Sequence, residues 1–233
     1  MTRRLAIIPA RGGSKRVPRK NIRLFHDRPM IAHILATAEE SELFDVIHVS
    51  TEDDEIAEVA SSLGHPPAFR RPDDLAADNV GLFAVIKQVT EQFAKTGEAF
   101  DEVWLLMACS PLILANDLRG AARLFAHHSG AHPVLAISPY PVPVEWAFDR
   151  AENGLLTAVQ PDMLSVSSKS ISPKYHDTGT FAVFSSQRIF DSGPDTMQDD
   201  FVGYEIPRQR GIDIDNQEDW ELAWALFQVR NQK

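Results

Sequence analysis

This sequence has little of what a secreted or membrane-bound protein needs. Its 233 residues contain one cysteine, Cys109, which excludes an internal disulfide framework and fits a reducing compartment. The first apolar run, Leu5 to Ala10, is only six residues long, too short for a secretory signal. No apolar run of membrane length follows it. These absences predict one cytoplasmic domain over residues 1–233, with no membrane partner.

The chain is also short of positive charge. There are 23 Lys and Arg against 33 Asp and Glu, a formal net charge of −10. Nucleic-acid-binding proteins need a broad basic face, so this deficit argues against a nucleic-acid partner. The cations are unevenly placed, however, because eight of the 23 precede the first acidic residue, Asp27. A basic segment in an acidic chain predicts a pocket for a small polyanion.

Strand-like and helix-like segments alternate along most of the chain. Apolar runs such as LAIIPA (5–10), DVIHVST (45–51) and EVWLLMA (102–108) are typical of buried parallel strands, and helical spacing recurs between them. This alternation predicts an α/β fold with an open, mostly parallel nucleotide-binding sheet and helices on both faces. The rhythm breaks at residues 140–175, which are rich in Pro and Ser, so a small insertion or arm is expected there.

The first strand runs into the stretch IPARGGSKRVPRKN, from Ile8 to Asn21. In an open α/β sheet the first strand-to-helix loop is the usual place for phosphate. Gly12 and Gly13 let the backbone approach an anion, while Arg11 and Lys15 add charge. The pattern is neither GxGxxG nor GxxxxGK[ST], so it indicates neither a dinucleotide fold nor a Walker NTPase. A solvated glycine turn explains GGSK alone equally well.

Two carboxylates alternate near the C-terminus, Asp213 and Asp215 in GIDIDNQED. On a strand both would point to one face, and with phosphate oxygens and water they would suit Mg²⁺. The alternative is a polar segment that caps the last helix, with Asp215 or Asn216 as the N-cap. DID taken alone favours the cap.

Four segments together resemble the CMP-sialic acid synthetase family, cytidylyltransferases that activate nine-carbon acidic sugars. ARGGSKRVPRKN is similar to the N-terminal signature, FRRPDDLAADN to "RP..LA.D", ACSPLILANDL to "SPL" and DIDNQEDW to "DID..EDW". They run in order from residue 5 to about 226. PYPVPVEWAF and KYHDTGTFAVF most resemble the pseudaminic acid cytidylyltransferases within the family.

Two positions leave the choice of sugar open. Met107 stands where N-acetylneuraminate enzymes carry Gln, and VSSKS (166–170) has no Arg where the pseudaminate pattern "TRSQ" has one, so Lys169 is the candidate for that charge. Legionaminic acid, N-acetylneuraminic acid and Kdo stay open as substrates, although RGGSK followed by KN is the sialate-like form. Two further functions compete with these, those of a sugar-1-phosphate pyrophosphorylase and of a non-catalytic nucleotide-sensing module.

The resemblance implies a nucleotide-diphospho-sugar transferase-like fold, transfer of CMP from CTP to an acidic nine-carbon sugar, and a homodimer joined through the arm. It implies Mg²⁺ as the cofactor, with Asp213 and Asp215 as ligands. The implied catalytic residues are Arg11, Lys15, Lys20 and Asp213. The implied nucleotide-binding residues are Ala10, Arg11, Gly12, Gly13, Ser14, Asn21, Arg71, Ala77 and Asp78. The implied sugar-binding residues are Met107, Lys169, His176 and Asp177, with a structural role for His176 and Asp177 left open.

Overall fold

The structure is a computed structural model that describes residues 2–77, 79–193 and 200–231. Its strands, within those residues, are β1 (Arg4–Pro9), β2 (Leu24–Phe25), β3 (Arg28–Pro29), β4 (Val46–Ser50), β5 (Glu102–Leu106), β6 (Val134–Pro139), β7 (Phe148–Arg150), β8 (Leu156–Ala158), β9 (Tyr175–Ser185) and β10 (Val202–Glu205). Its helices there are α1 (Met30–Ser41), α2 (Asp54–Ser62), α3 (Leu82–Lys95), α4 (Ala115–His127), α5 (Ser186–Asp191) and α6 (Gln217–Asn231).

Six strands form the central sheet in the order β10-β6-β9-β5-β1-β4. Every neighbouring pair is parallel except those of β9, which runs antiparallel to both β5 and β6. The carboxyl ends of β1, β4, β5 and β6 therefore lie along one edge, and β9 begins at that same edge. The predicted open, mostly parallel sheet is confirmed.

Both faces of the sheet are covered by helices. Alternate residues of β1 point to opposite faces of the sheet: Ala6 and Ile8 belong to one core cluster, and Leu5 and Ile7 belong to the other. The first cluster contains residues of α1, α2 and α4, and the second contains residues of α3 and α5. A continuous apolar run such as LAIIPA fits a strand that is buried on both sides.

A third core cluster joins the C-terminal helix α6 to β2 and the start of α1. Phe25, Trp220 and Phe227 belong to it, as does Ile214. The residues around Ile214 form no strand; instead, Asn216 caps α6, because its side chain accepts from the Asp219 amide while Asp219 accepts from the Asn216 amide, both at 3.0 Å. The predicted helix cap is thus correct for Asn216.

Residues 140–175 form the β7–β8 hairpin and three short 3₁₀ turns, at Val144–Trp146, Pro161–Met163 and Ser168–Ser170. We refer to residues 140–175 as the arm. Its two ends lie side by side, because the Tyr140 amide donates to the Lys174 carbonyl at 2.9 Å. Across the described ranges, no helix combines the length and apolar character needed to cross a bilayer.

His48 on β4 is a buried titratable group, only 2% exposed, and its ring packs against Phe69 and Phe93. Neither ring nitrogen has a hydrogen-bond partner among the described residues. Burial is the main cause that lowers the pKa of His48 to about 4 from its usual 6.5. Protonation at this position therefore opposes folding.

The stability of the protein is expected to fall as pH drops from about 6.5 toward 4. The unfolded chain takes up a proton at His48 first, so unfolding is favoured by up to about 1.4 kcal/mol per pH unit over that window, about 3 kcal/mol in all. Urea denaturation at pH 7 and pH 5 measures this change. His48→Leu, similar in size but unable to titrate, should weaken the pH dependence; an unchanged dependence would show that other groups cause it.

Candidate active site

A cleft of about 270 Å³ opens at the carboxyl edge of the sheet, beside the loop that follows β1. We call residues 11–20 of this loop the basic loop. Several cationic residues line the cleft: Arg11, Lys15, Arg16, Lys20 and Arg71. Its other wall is apolar and includes Leu75, Val80, Leu82, Val85 and Met107. Such a cleft suits a ligand with a polyanionic end and a flat or apolar end.

Asn21, at the end of the basic loop, is buried and held from two sides. Its side-chain amide donates to the Arg11 carbonyl at 3.0 Å, and its side-chain oxygen accepts from the Cys109 thiol at 3.2 Å. Burial raises the pKa of Cys109 to about 12, so the group remains a thiol and a hydrogen-bond donor. A residue that follows β5 thus fixes the orientation of Asn21.

Arg71 is a buried arginine, 5% exposed, that reaches the cleft from the segment before α3. Its guanidinium donates to the hydroxyl of Ser50 at 3.1 Å and to the carbonyl of Ser50 at 2.6 Å. These bonds fix the planar group at the end of β4, where it can present a charge to a ligand.

The two C-terminal aspartates lie beside the basic loop. Arg16 forms an ion pair with Asp215 at 2.9 Å, and Lys20 lies 3.8 Å from the other oxygen of Asp215 while donating to the Ile214 carbonyl. Asp215 also lines the cleft. The structure therefore brings residues from opposite ends of the chain into one site.

Asp213 lies against β9. Gly179 there has φ +60, and a Cβ at that position would be 2.7 Å from Asp213 Oδ2, so only glycine leaves room for the carboxylate. The Gly179 amide donates to Asp177 at 2.8 Å. Partial burial and then the charge of Asp215 raise the pKa of Asp213, with Asp177 and Asp219 adding to the effect.

Asp213 and Asp215 fit a magnesium ion by their chemistry. Carboxylate oxygens are the donors that Mg²⁺ prefers, and a cation would relieve the repulsion that raises the pKa of Asp213. Across residues 2–77, 79–193 and 200–231, no group of three or more His, Cys, Asp or Glu is arranged to hold a metal. Magnesium bound by two carboxylates would thus depend on ligand oxygens and water for its remaining positions.

Only some of the other predicted nucleotide-binding residues line the cleft. Ser14 and Ala77 line the cleft with the residues named above, whereas Ala10, Gly12 and Gly13 are not among its lining residues. Asp78 lies outside the described residues.

The predicted sugar-binding residues are divided between the cleft edge and the arm. Met107 lines the cleft, and His176 and Asp177 lie at the start of β9, where the His176 ring is 5.0 Å from that of Tyr140. Lys169 lies exposed on a 3₁₀ turn of the arm and does not line the cleft. The structure thus brings Met107, but not Lys169, to the cleft.

Sequence reasoning missed the acidic residues behind the basic loop. We call Glu52–Glu55 the acidic run; its pattern indicates only a helix start, which is correct because Asp53 caps α2 by accepting from the Ile56 amide. Asp53 also accepts two hydrogen bonds from Arg19, which hold its pKa down at about 2. A charge count could have suggested this pairing, since one acidic cluster and one basic cluster follow neighbouring strands.

The arrangement can bind a chain of phosphates and hold a divalent cation beside it. Cations of the basic loop line the cleft together with the carboxylate of Asp215, and Asp213 is close enough to Asp215 for the two charges to interact. Phosphoryl and nucleotidyl transfer need these two elements, because charge develops on phosphate oxygens in the transition state.

Comparisons with known proteins agree with this chemistry. A sequence model of the family described as "Cytidylyltransferase" matches residues 5–121. The chain is 32% identical, over 98% of its length, to the pseudaminic acid cytidylyltransferase of Campylobacter jejuni subsp. jejuni, of which it covers 97%. It is 29% identical, over 98% of its length, to the CMP-N,N'-diacetyllegionaminic acid synthase of Legionella pneumophila subsp. pneumophila, of which it also covers 97%.

The fold is shared with solved structures. CMP:2-keto-3-deoxy-manno-octonic acid synthetase complexed with CTP superimposes with a TM-score of 0.73 over 98% of this chain and 100% of that chain, at 15% identity. At this identity the likeness shows the fold alone, which is nucleotide-diphospho-sugar transferase-like as expected.

Proposed function

Because this chain belongs to the cytidylyltransferase family, we propose that it transfers CMP from CTP to the anomeric hydroxyl of a nonulosonic acid, specifically pseudaminic acid. It is a nucleotidyltransferase enzyme. The single observation that carries the proposal is the cationic cleft with Asp215 at its end and Asp213 beside it. A cytoplasmic location, where CTP is made, is part of the proposal.

In the proposed reaction the sugar hydroxyl attacks the α-phosphorus of CTP, a new P–O bond forms, and the bond to pyrophosphate breaks. Arg11 and Lys15 would hold the triphosphate and then the departing pyrophosphate. Asn21 and Arg71 would contact the cytidine, positioned by Cys109 and Ser50 as described. Magnesium held by Asp213 and Asp215 would neutralise phosphate charge. Most of the catalysis would then come from positioning and electrostatic stabilisation.

Pseudaminic acid as the sugar is supported by the relative from Campylobacter jejuni and by the residues near the cleft edge. Met107 gives an apolar surface there, while His176 and Asp177 follow the first residue of β9 and Asp177 lies near Asp213. We infer that these three residues face the sugar.

The proposal is tested by pyrophosphate release with CTP and Mg²⁺ across pseudaminic, legionaminic and N-acetylneuraminic acids and Kdo. Selective turnover of pseudaminic acid is expected. Turnover of a different sugar would overturn the assigned substrate but keep the reaction, and CTP binding without turnover of any of the four would overturn the proposed reaction for these sugars. Omission of Mg²⁺ should abolish the release.

Gly179→Ala is expected to lower kcat/KM for CMP transfer by about 10- to 100-fold, because the new methyl would displace the Asp213 carboxylate and φ +60 disfavours alanine. Gly97→Ala is the matched control, since Gly97 also has a positive φ, +86, but a Cβ there would meet no atom within 4 Å. Pyrophosphate-release kinetics on both variants measure the difference. Equal kcat/KM for the two would mean that the position of Asp213 is unimportant.

We also propose that the arm joins two copies of this chain. Several of its apolar side chains are exposed, including Val142, Phe148, Leu155, Leu156 and Val159. A second copy covering them would remove this apolar area from water. Light scattering after size exclusion should give about twice the 26.0 kDa chain mass, and a mass of one chain would contradict the dimer.

A further inference from the structure

The acidic run contacts the basic loop from outside the cleft, since none of the four residues of the acidic run lines the cleft. The Gly12 amide donates to Glu52 Oε1 at 2.7 Å, across 40 residues of sequence. Arg19, which adopts φ 56, donates to both oxygens of Asp53. A non-glycine residue is disfavoured in this left-handed conformation, so contacts of this kind are needed to hold the loop in shape.

The second carboxylate oxygen of Glu52 is unusual. It is buried, and no donor in the described part of the chain forms a hydrogen bond with it. The oppositely charged guanidinium of Arg71 lies 3.9 Å away from it. A buried charged acceptor without a donor lowers the stability of the folded protein. We therefore explain the Glu52 carboxylate by its effect on the positions of its neighbours, and not by a contribution to stability.

Glu52 therefore contacts both the basic loop and Arg71. One oxygen fixes the turn of the basic loop at Gly12, and the other lies beside the buried Arg71. Glu52 does not line the cleft itself, so its removal would delete no contact with a ligand there.

We propose that Glu52 is a positioning residue, which sets the basic loop and Arg71 in the relative orientation that binds a nucleoside triphosphate. The identity of that ligand as CTP rests on the proposed function. The sign of the effect is diagnostic: Coulomb's law alone predicts that deleting a carboxylate near a polyanion site tightens binding, whereas loss of positioning weakens it.

The experiment compares Glu52→Ala and Glu52→Gln with wild type by calorimetric titration of CTP, without any sugar. Glu52→Ala is expected to weaken CTP binding about tenfold or more, because the bond to Gly12 is lost. Glu52→Gln keeps an acceptor for the Gly12 amide and should stay within about threefold of wild type. Asp54→Ala is the control, because it removes the same charge from a side chain that is 96% exposed.

A second measurement reads the loop without any nucleotide. The basic loop contains trypsin sites at Arg11, Lys15, Arg16, Arg19 and Lys20. Glu52→Ala should speed cleavage there at an unchanged Tm, whereas Asp54→Ala should not. Unaltered or tighter CTP binding by Glu52→Ala, or unaltered cleavage, would overturn the proposal. Wild type that binds CTP but transfers CMP to no sugar would overturn the proposed function while the Glu52 comparison stands.

Discussion

Asp213→Asn is expected to lower kcat for CMP transfer by about 10²- to 10³-fold and to raise the Mg²⁺ concentration that gives half of the maximal rate. The physical reason is the charge at the end of the cleft. Burial and the neighbouring Asp215 raise the pKa of Asp213, so its carboxylate stands in a position where a cation would be favoured. The neutral amide keeps the shape of the side chain but removes that charge. Pyrophosphate release at several Mg²⁺ concentrations measures both effects.

Asp191→Asn is the matched control for this substitution. Asp191 is exposed at the end of α5 and contacts Gln187, a bond whose acceptor an amide oxygen can replace. It should retain the wild-type rate. Asp213→Asn with wild-type kcat and wild-type Mg²⁺ dependence would contradict a metal role for this carboxylate, whatever sugar the enzyme uses.

Phe25→Ala is expected to destabilise the protein by about 3–5 kcal/mol, the largest stability effect predicted for this chain. Phe25 is fully buried, and its ring makes edge contacts with Trp220, Trp224 and Phe227 at 5.2–5.5 Å. These contacts attach α6 to the segment that follows the basic loop. The cavity left by alanine would remove aromatic contacts as well as buried area.

Urea denaturation of Phe25→Ala and Leu24→Ala isolates this effect. Leu24 is adjacent in sequence on β2 but 63% exposed, so its truncation should change the free energy of unfolding by less than about 0.5 kcal/mol. Ile214 belongs to the same cluster as Phe25 and separates the two candidate metal ligands. Phe25→Ala should therefore also raise the Mg²⁺ concentration needed for half of the maximal rate. A loss of stability below about 1 kcal/mol would show that α6 is attached by other contacts.

Much of the fold followed from local patterns in the sequence. Apolar runs such as LAIIPA predicted buried strands because a strand covered on both faces needs no alternation. The basic loop, Arg71 and Asp215 were predicted as a site, and the structure places them around one cleft. Family resemblance added the roles of these residues, which remain predictions where they concern contacts with nucleotide, metal or sugar.

The features that sequence reasoning did not find depend on contacts between distant residues. Glu52 and Gly12 are 40 residues apart, and no local pattern indicates that a helix-start carboxylate would bind a loop amide. The prediction that Asp213 and Asp215 share one face depended on their forming a strand. The structure brings them to the site without one, through the burial of Ile214 and the cap of α6 at Asn216.

The reversed direction of β9 has a consequence for how this enzyme can vary. Because β9 runs opposite to β6, the last residue of β6 and the first of β9 pair directly, Pro139 with Tyr175. As a result, the arm leaves and re-enters the sheet at a single point on its carboxyl edge. The length and sequence of the arm can therefore change while no strand of the sheet has to shift its register.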